Sequence, residues 1–399
     1  MSIISRHIAS LAESQSLAMA QRVAQMRQQG VDVISMTLGE PDFDTPEHIK
    51  QAAQQAIADN YSHYGPVKGL QSLREAIAKT FTIHHSPFTF TTDDIIVSVG
   101  AKQAICNAVL SLVDEGDEVI IPTPCWVSYS EMVKIAGGKN VLVRTSAEND
   151  YKLSAAQLQA AITERTKLLI LCSPNNPTGS VYTQEELTQI VEVLKQHPNV
   201  FVISDEIYSV LVYDQPHVSL ASFAELADRL ILINGVSKTY AMPGYRIGWM
   251  ACHNQEIVKA CAILQGQYLT CATLISQKAA EAALTGSQDC VEQMWQAYAQ
   301  RRELILSLLS EIPDITCTIP QGAFYAFPDV SQYYGKSYGT QIITNSDDMA
   351  NYLLNEAHVA CVAGSAYGED KCIRLSYATS EANIKEALKR IKEALLQLR

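Results

Sequence analysis

The sequence at 230–239 is Leu230-Ile231-Leu232-Ile233-Asn234-Gly235-Val236-Ser237-Lys238-Thr239, an apolar run that ends in glycine, hydroxyl and lysine side chains. Apolar runs of similar length recur along the chain, at 95–99, 118–121, 168–171, 200–203 and 247–251. They are rich in Ile, Val and Leu and scarcely alternate with polar residues, which is typical of strands covered on both faces. Helical patterns such as Gln103–Val113 and Glu185–Gln196 separate most of the runs. This repetition predicts an α/β fold with a mostly parallel central sheet covered by helices.

Both ends of the chain show a different pattern, which predicts a smaller α+β domain. The predicted elements are a helix at 16–29, a short strand at 33–38, a helix at 291–311, a strand at 322–327, a helix at 346–356, a strand at 372–377 and a helix at 381–398. We therefore expect a large domain at 45–290 and a small domain formed by 1–44 together with 291–399.

Composition and charge exclude several classes of protein. The 399 residues are 47% apolar and 18% charged, which is typical of a globular chain with a sizeable core. Lys and Arg number 30 against 42 Asp and Glu, so a net charge of −12 argues against a nucleic-acid partner. No apolar run approaches the length of a membrane span, which predicts no membrane partner. None of the ten cysteines lies in a Cys-x-x-Cys pair or at zinc-ligand spacing, so we expect no metal site and a cytoplasmic location.

Residues that could bind a ligand or take part in catalysis follow the predicted strands. Ligands of open parallel sheets bind beyond the carboxyl ends of strands. After 95–99, Gly100-Ala101-Lys102-Gln103 opens a helix, where backbone N–H groups favour an anion. Trp126, after 118–121, is able to stack on a flat ring, and Asn176 lies in a proline-rich turn after 168–171. Each feature alone also fits an ordinary turn or a partly buried core residue.

Three further strand ends carry ionisable groups. Asp205 ends the run at 200–203 and Tyr208 follows it; a buried carboxylate there needs a partner, such as a cationic ring nitrogen, unless it is a simple helix cap. Lys238 is an amine past a buried strand, where a lowered pKa would make it a nucleophile, although an isolated lysine is usually solvated. Arg246 precedes the strand at 247–251. Together these groups suit pyridoxal 5′-phosphate, which has a phosphate, an aromatic ring, a basic ring nitrogen and an aldehyde.

Several longer motifs carry a family resemblance. They are Leu38-Gly39-Glu40-Pro41-Asp42-Phe43-Asp44-Thr45-Pro46, the stretch 64–74, Gly322-Ala323-Phe324-Tyr325 and Arg374-Leu375-Ser376-Tyr377-Ala378-Thr379-Ser380. With the strand-end residues, they make the chain resemble the fold-type I, class I pyridoxal-phosphate aminotransferases over nearly its whole length. Within that class, it is most similar to bacterial-type aspartate aminotransferases and their prephenate-transaminating relatives.

The resemblance implies a role for each residue around the cofactor ring. Lys238 would carry the cofactor and move a proton at the substrate α-carbon. Asp205 would keep the ring nitrogen protonated. Tyr208 and Asn176 would contact the phenolic oxygen of the ring, and Trp126 would stack on it.

The resemblance also assigns the two anionic ends of the site. The phosphate would be held by Ala101, Lys102, Ser237 and Arg246, and by Tyr64 of the neighbouring subunit, which implies a homodimer with composite sites. The substrate α-carboxylate would bind Arg374 near Gly39, and Lys102, Trp126 and Asn176 would complete the substrate site.

The implied reaction is a ping-pong transamination. An amino acid leaves its nitrogen at the site and departs as a 2-oxo acid, and a second 2-oxo acid takes the nitrogen up. Lys102 would pair with the distal carboxylate of aspartate or 2-oxoglutarate. The alternatives are an aromatic or prephenate-type aminotransferase and a pyridoxal-phosphate lyase on the same fold. By the resemblance, prephenate-using relatives carry a threonine in an N-terminal loop, and Ser16 occupies that place in this chain. A non-enzymatic regulator is disfavoured because the N-terminal segment has no basic recognition helix.

Overall fold

The computed structural model describes residues 3–12, 15–83 and 89–399. Its helices are α1 Arg6–Ala9, α2 Gln15–Gln28, α3 Glu47–Ala58, α4 Gln71–Ile83, α5 Gly100–Leu112, α6 Ser128–Ala136, α7 Ala155–Ala161, α8 Gln184–Gln196, α9 Val236–Thr239, α10 Gln255–Tyr268, α11 Leu274–Thr285, α12 Asp289–Ser310, α13 Ser346–Glu356 and α14 Glu381–Leu395. Its strands are β1 Ile34–Ser35, β2 Ile95–Val99, β3 Glu118–Thr123, β4 Lys139–Arg144, β5 Thr166–Cys172, β6 Phe201–Asp205, β7 Leu230–Gly235, β8 Ile247–Ala251, β9 Tyr325–Ala326, β10 Ser337–Tyr338, β11 Gln341–Ile342, β12 Val359–Ala360, β13 Val362–Ala363 and β14 Ile373–Ser376. In these ranges no helix has the length and apolar character needed to cross a membrane.

A seven-stranded sheet forms the centre of the molecule, with the strand order β2-β8-β7-β6-β5-β3-β4. Strands β3 to β7 run parallel, whereas β8 is antiparallel to both of its neighbours. The predicted α/β fold with a mostly parallel sheet is therefore confirmed. Because β8 is reversed, its first residue lies at the same edge of the sheet as the ends of the parallel strands.

The sequence of the inner strands follows from burial on both faces. In β6, Val202 packs with the core on one face of the sheet, and Ile203 packs with the core on the other. Both residues are completely buried, so neither face selects polar side chains. Strand β4 was not predicted because it lies at the sheet edge and has exposed Lys139 and Arg144 at its two ends.

A separate core joins the two ends of the chain. Ile34 and Met36 pack in one cluster with residues of β9, β14 and α14, and β1 pairs in parallel with β12. The clustering supports our proposal of a small domain from both ends; its boundaries at 44 and 291 remain a prediction.

Two predicted strands are much shorter in the structure. The strand predicted at 33–38 pairs only over Ile34–Ser35, and the one predicted at 322–327 pairs only over Tyr325–Ala326. Ala323 has a left-handed φ of 57°, and its N–H donates to the carbonyl of Leu211 at 2.8 Å. The chain therefore turns before the strand can begin.

Candidate active site

A cavity of about 360 Å³ opens at the edge of the central sheet where the parallel strands end. Eleven of the twelve residues predicted for the site line it: Gly39, Ala101, Lys102, Trp126, Asn176, Asp205, Tyr208, Ser237, Lys238, Arg246 and Arg374. They come from sequence positions more than 300 residues apart. The topology, including the reversed β8 that brings Arg246 to this edge, gathers them.

Lys238 lies in α9, the short helix that follows β7. Its Nζ donates a hydrogen bond to the carbonyl oxygen of Gly39. Burial lowers the pKa of Lys238 to about 8, against an opposing effect of Glu40. A substantial fraction of the amine is therefore uncharged in mildly alkaline solution, the form in which it is a nucleophile.

Asp205 is the last residue of β6, and only 3% of it is exposed. It accepts hydrogen bonds from the hydroxyl of Tyr129 at 2.6 Å and from the N–H of Ile207 at 3.2 Å. Burial raises the pKa of Asp205 to about 6. Among the described residues, no basic side chain forms an ion pair with this carboxylate, so a cationic ligand group in the cavity would complete its environment.

Tyr129 was not predicted as a site residue. It lies in α6 among apolar residues, is 1% exposed and packs its ring edge-to-face with Trp126 at 5.3 Å. The amine of Lys102 is 4.9 Å from the centroid of the same indole. Trp126 precedes α6 and Tyr129 lies in its first turn, so the two rings are near each other in the sequence, but nothing local distinguishes Tyr129 from a core residue.

Arg374, in β14, is 3% exposed and firmly oriented. Its Nη1 donates to Asn176 Oδ1 at 2.9 Å, and its Nη2 donates to the carbonyl of Thr37 at 2.5 Å. The rings of Tyr325 and Tyr367 lie 4.5 and 5.1 Å from the guanidinium carbon. Arg374 Nε has no hydrogen-bond partner within the described ranges, which leaves a buried donor for a carboxylate ligand.

An anion-binding corner is formed where α5 begins. Gly100 has a φ of +77°, and a Cβ there would lie 2.6 Å from Arg246 Nη2. Glycine therefore provides both the turn and the room for the guanidinium beside the N–H groups of Ala101 and Lys102. Burial lowers the pKa of Lys102, and the positive charge of Arg246 lowers it further. Ser237 is also buried and lines the cavity.

Two sequence predictions fall outside this cavity. Tyr64 is 90% exposed and does not line it; its contribution to a neighbouring subunit remains a prediction. The backbone of Ser16 lies in α2, but its side chain is outside the described residues. Tyr325, Tyr367 and Thr37 line the cavity and were not predicted as site residues.

Comparison with known proteins identifies the family. The sequence model of "Aminotransferase class I and II" matches residues 31–391, nearly the whole chain. The chain belongs to this family. It is an aminotransferase, an enzyme that moves amino groups between amino acids and 2-oxo acids. The predicted resemblance is thus confirmed.

The similar proteins are aspartate aminotransferases and related enzymes. An aspartate aminotransferase of Rhizobium meliloti (strain 1021) is 43% identical over 391 residues, which cover 97% of this chain and 95% of the relative. A bifunctional aspartate aminotransferase and glutamate/aspartate-prephenate aminotransferase of Petunia hybrida is 41% identical over 401 residues. The match covers 99% of this chain and 83% of the relative. A crystal structure of aspartate aminotransferase from Rhizobium meliloti superposes with a TM-score of 0.95 at 40% identity and covers 100% of both chains. The structure of Thermus thermophilus aspartate aminotransferase with maleate superposes with a TM-score of 0.92 at 38% sequence identity. The match covers 99% of this chain and 100% of that chain.

Proposed function

We propose that the aminotransferase uses pyridoxal 5′-phosphate and transfers the amino group between aspartate and 2-oxoglutarate. The observation that carries the proposal is the shared cavity of Lys238, Asp205 and Arg374. The amine, whose pKa is lowered, suits the aldehyde of the cofactor, and the buried carboxylate suits its ring nitrogen. The buried guanidinium suits the α-carboxylate of the substrate.

The donor set of the cavity fits this cofactor. Asp205, which has no ion pair among the described residues, would accept the proton-bearing ring nitrogen. The start of α5, Ser237 and Arg246 would hold the phosphate, and Trp126 would cover one face of the ring. Tyr208, whose pKa burial raises well above its usual value, stays protonated and would donate to the phenolic oxygen.

When bound, pyridoxal 5′-phosphate supplies an aldehyde for the substrate amine and a ring that draws electron density from the α-carbon. Lys238 would take a proton from the α-carbon and return it at the neighbouring carbon of the cofactor. Arg374 would orient the substrate through its α-carboxylate, and Asp205 would keep the ring nitrogen protonated throughout. The indole of Trp126 would exclude water from one side of the reacting atoms.

Lys102 supports the choice of a dicarboxylic substrate. Its amine lies 4.9 Å from the centroid of the Trp126 ring, and Lys102 lines the same cavity as Arg374. We propose that it pairs with the distal carboxylate of aspartate. Prephenate is the second candidate acceptor, since the Petunia hybrida relative bears both activities in its name.

We also propose that the enzyme works as a homodimer in the cytoplasm. Tyr64, 90% exposed, is available to reach the phosphate site of a second copy. All ten cysteines are free thiols in the structure, which suits a reducing compartment.

A half-reaction panel tests the proposed substrates. Purified enzyme loaded with the cofactor is mixed with aspartate, glutamate, phenylalanine or leucine, and bleaching of its near-visible absorbance is followed. Aspartate and glutamate should bleach the band fastest. Lys102→Ala should lower the rate of bleaching by aspartate far more than the rate of bleaching by phenylalanine. An equal loss of rate with both amino acids would contradict the distal-carboxylate role. Turnover with prephenate as acceptor would establish the second candidate.

A further inference from the structure

Two buried tyrosine hydroxyls meet in the wall of the cavity. The Oη atoms of Tyr208 and Tyr325 are 2.7 Å apart, and their rings pack edge-to-face with centroids 5.8 Å apart. Tyr208 is 5% exposed and Tyr325 is fully buried. The hydroxyl of Tyr208 has a role in the proposed site, whereas the hydroxyl of Tyr325 has none so far.

The backbone fixes the distance between these tyrosines. The N–H of Leu211 donates to the carbonyl of Tyr208 at 2.8 Å, and the carbonyl of Leu211 accepts from the N–H of Ala323, also at 2.8 Å. Tyr325 then enters β9, where it pairs with Ser376. One short turn therefore anchors both side chains, and the contact between their hydroxyls is built into the fold.

Charge around the pair sets the direction of the hydrogen bond. The guanidinium carbon of Arg374 lies 4.5 Å from the centroid of the Tyr325 ring. Burial raises the pKa of Tyr325 to about 12, and Arg374 opposes that rise. Burial, and secondly Tyr325, raises the pKa of Tyr208 well above its usual value. Arg374 also opposes the rise in the pKa of Tyr208, as a smaller cause than burial, and the other titratable groups that act on the pair are Tyr367 and Cys172. Because the positive charge of Arg374 lies against the ring of Tyr325, we take Tyr325 as the better donor of the two hydroxyls.

A hydroxyl has only one proton to donate. If Tyr208 gave its proton to Tyr325, it would have none for a ligand in the cavity. We propose that Tyr325 is a positioning residue, whose hydroxyl donates to Tyr208 and thereby directs the proton of Tyr208 toward the phenolic oxygen of the cofactor. The inference rests on the proposed function, because that oxygen belongs to pyridoxal 5′-phosphate.

The pH titration of the near-visible absorbance tests this role in the holoenzyme without substrate. Loss of a proton from the conjugated system of the cofactor leaves negative charge on the phenolic oxygen, which donation from Tyr208 stabilises. Tyr325→Phe keeps the ring beside Arg374 but weakens this donation, so the midpoint should rise by about half to one pH unit. Tyr208→Phe should raise it further. The double variant should match Tyr208→Phe alone, since Tyr325 acts through Tyr208.

Tyr352→Phe is the matched control. Tyr352 is also fully buried, and its hydroxyl donates to the carbonyl of Ala394 at 2.7 Å, in the core formed by α13 and α14. Its loss should lower the melting temperature about as much as Tyr325→Phe does and leave the midpoint unchanged. An unchanged midpoint in Tyr325→Phe, or a further rise in the double variant, would overturn the positioning role. Absence of any near-visible band from the wild-type enzyme would instead refute the proposed function.

Discussion

Asp205→Asn separates the cost of a buried charge from the benefit of a bound cofactor. The carboxylate is 3% exposed and has the Tyr129 hydroxyl and the Ile207 N–H as donors. An asparagine can keep both contacts, because its Oδ1 accepts from Ile207 and its Nδ2 donates to the oxygen of Tyr129. The substitution therefore removes the charge and largely preserves the packing.

The shifted pKa of Asp205 gives the size of the expected effect. Burial raises it from 3.8 to about 6, and at ~1.4 kcal/mol per pKa unit the ionised carboxylate costs the cofactor-free protein about 3 kcal/mol. A raised pKa in the folded state contributes stability that is complete below pH 3.8 and is lost as the pH rises through about 6. We expect Asp205→Asn to stabilise the cofactor-free protein at neutral pH by roughly 1–3 kcal/mol, since the buried amide also loses hydration.

Thermal unfolding of the cofactor-free enzymes at about pH 5 and about pH 7.5 measures this effect. The variant should melt a few degrees above wild type at the higher pH, and the gap should shrink at the lower pH. With pyridoxal 5′-phosphate added, wild type should gain more stability than the variant. A variant that melts below wild type at both pH values, or a gap that does not change with pH, would refute the account of Asp205.

Glu206→Gln provides the matched control in the same melts. Glu206 is also buried, but it accepts hydrogen bonds from the hydroxyls of Ser204 and Ser219, each at 2.8 Å, and from the N–H of Leu220 at 3.2 Å. His217 Nε2 lies 3.0 Å from its second oxygen. Because this carboxylate is well satisfied, its amide variant should lower the melting temperature.

Three further substitutions probe separate parts of the site. Arg374→Lys loses the planar guanidinium between two tyrosine rings, so steady-state kinetics should show KM for the amino acid raised roughly tenfold or more, with the cofactor absorbance retained; an unchanged KM would exclude the carboxylate role. Tyr129→Phe removes a hydrogen bond to a charged group, and equilibrium dialysis should give about tenfold weaker cofactor binding; wild-type affinity would show that Asp205 does not depend on it. Tyr64→Phe should weaken cofactor retention while sedimentation still reports a dimer, and full retention would contradict the composite site.

The sequence sufficed for the strands that are buried on both faces. The runs that became β6 and β7 contain little but Ile, Leu and Val, because each face of the sheet meets its own core. The edge strand β4 escaped prediction since its exposed ends carry Lys139 and Arg144. The strand expected at 322–327 was too long because a tertiary hydrogen bond to Leu211 turns the chain at Ala323.

Site residues were predictable where the chemistry follows a strand directly. Asp205 and Lys238 have that local signature, and the structure brings both into one cavity. Tyr129 and Tyr325 lie within apolar patterns typical of core, and their hydroxyl contacts depend on tertiary packing. Arg374 is also held by the backbone carbonyl of Thr37. Because every residue has such a carbonyl, the sequence gives no indication of this contact.

The central claim is that Lys238 carries the cofactor in this cavity. Reduction of the loaded enzyme with borohydride, followed by mass spectrometry of its peptides, tests the claim directly, because reduction makes the link between amine and cofactor permanent. We predict a single pyridoxyl adduct, on the peptide that contains Lys238. An adduct on another lysine, or none despite bound cofactor, would contradict the account.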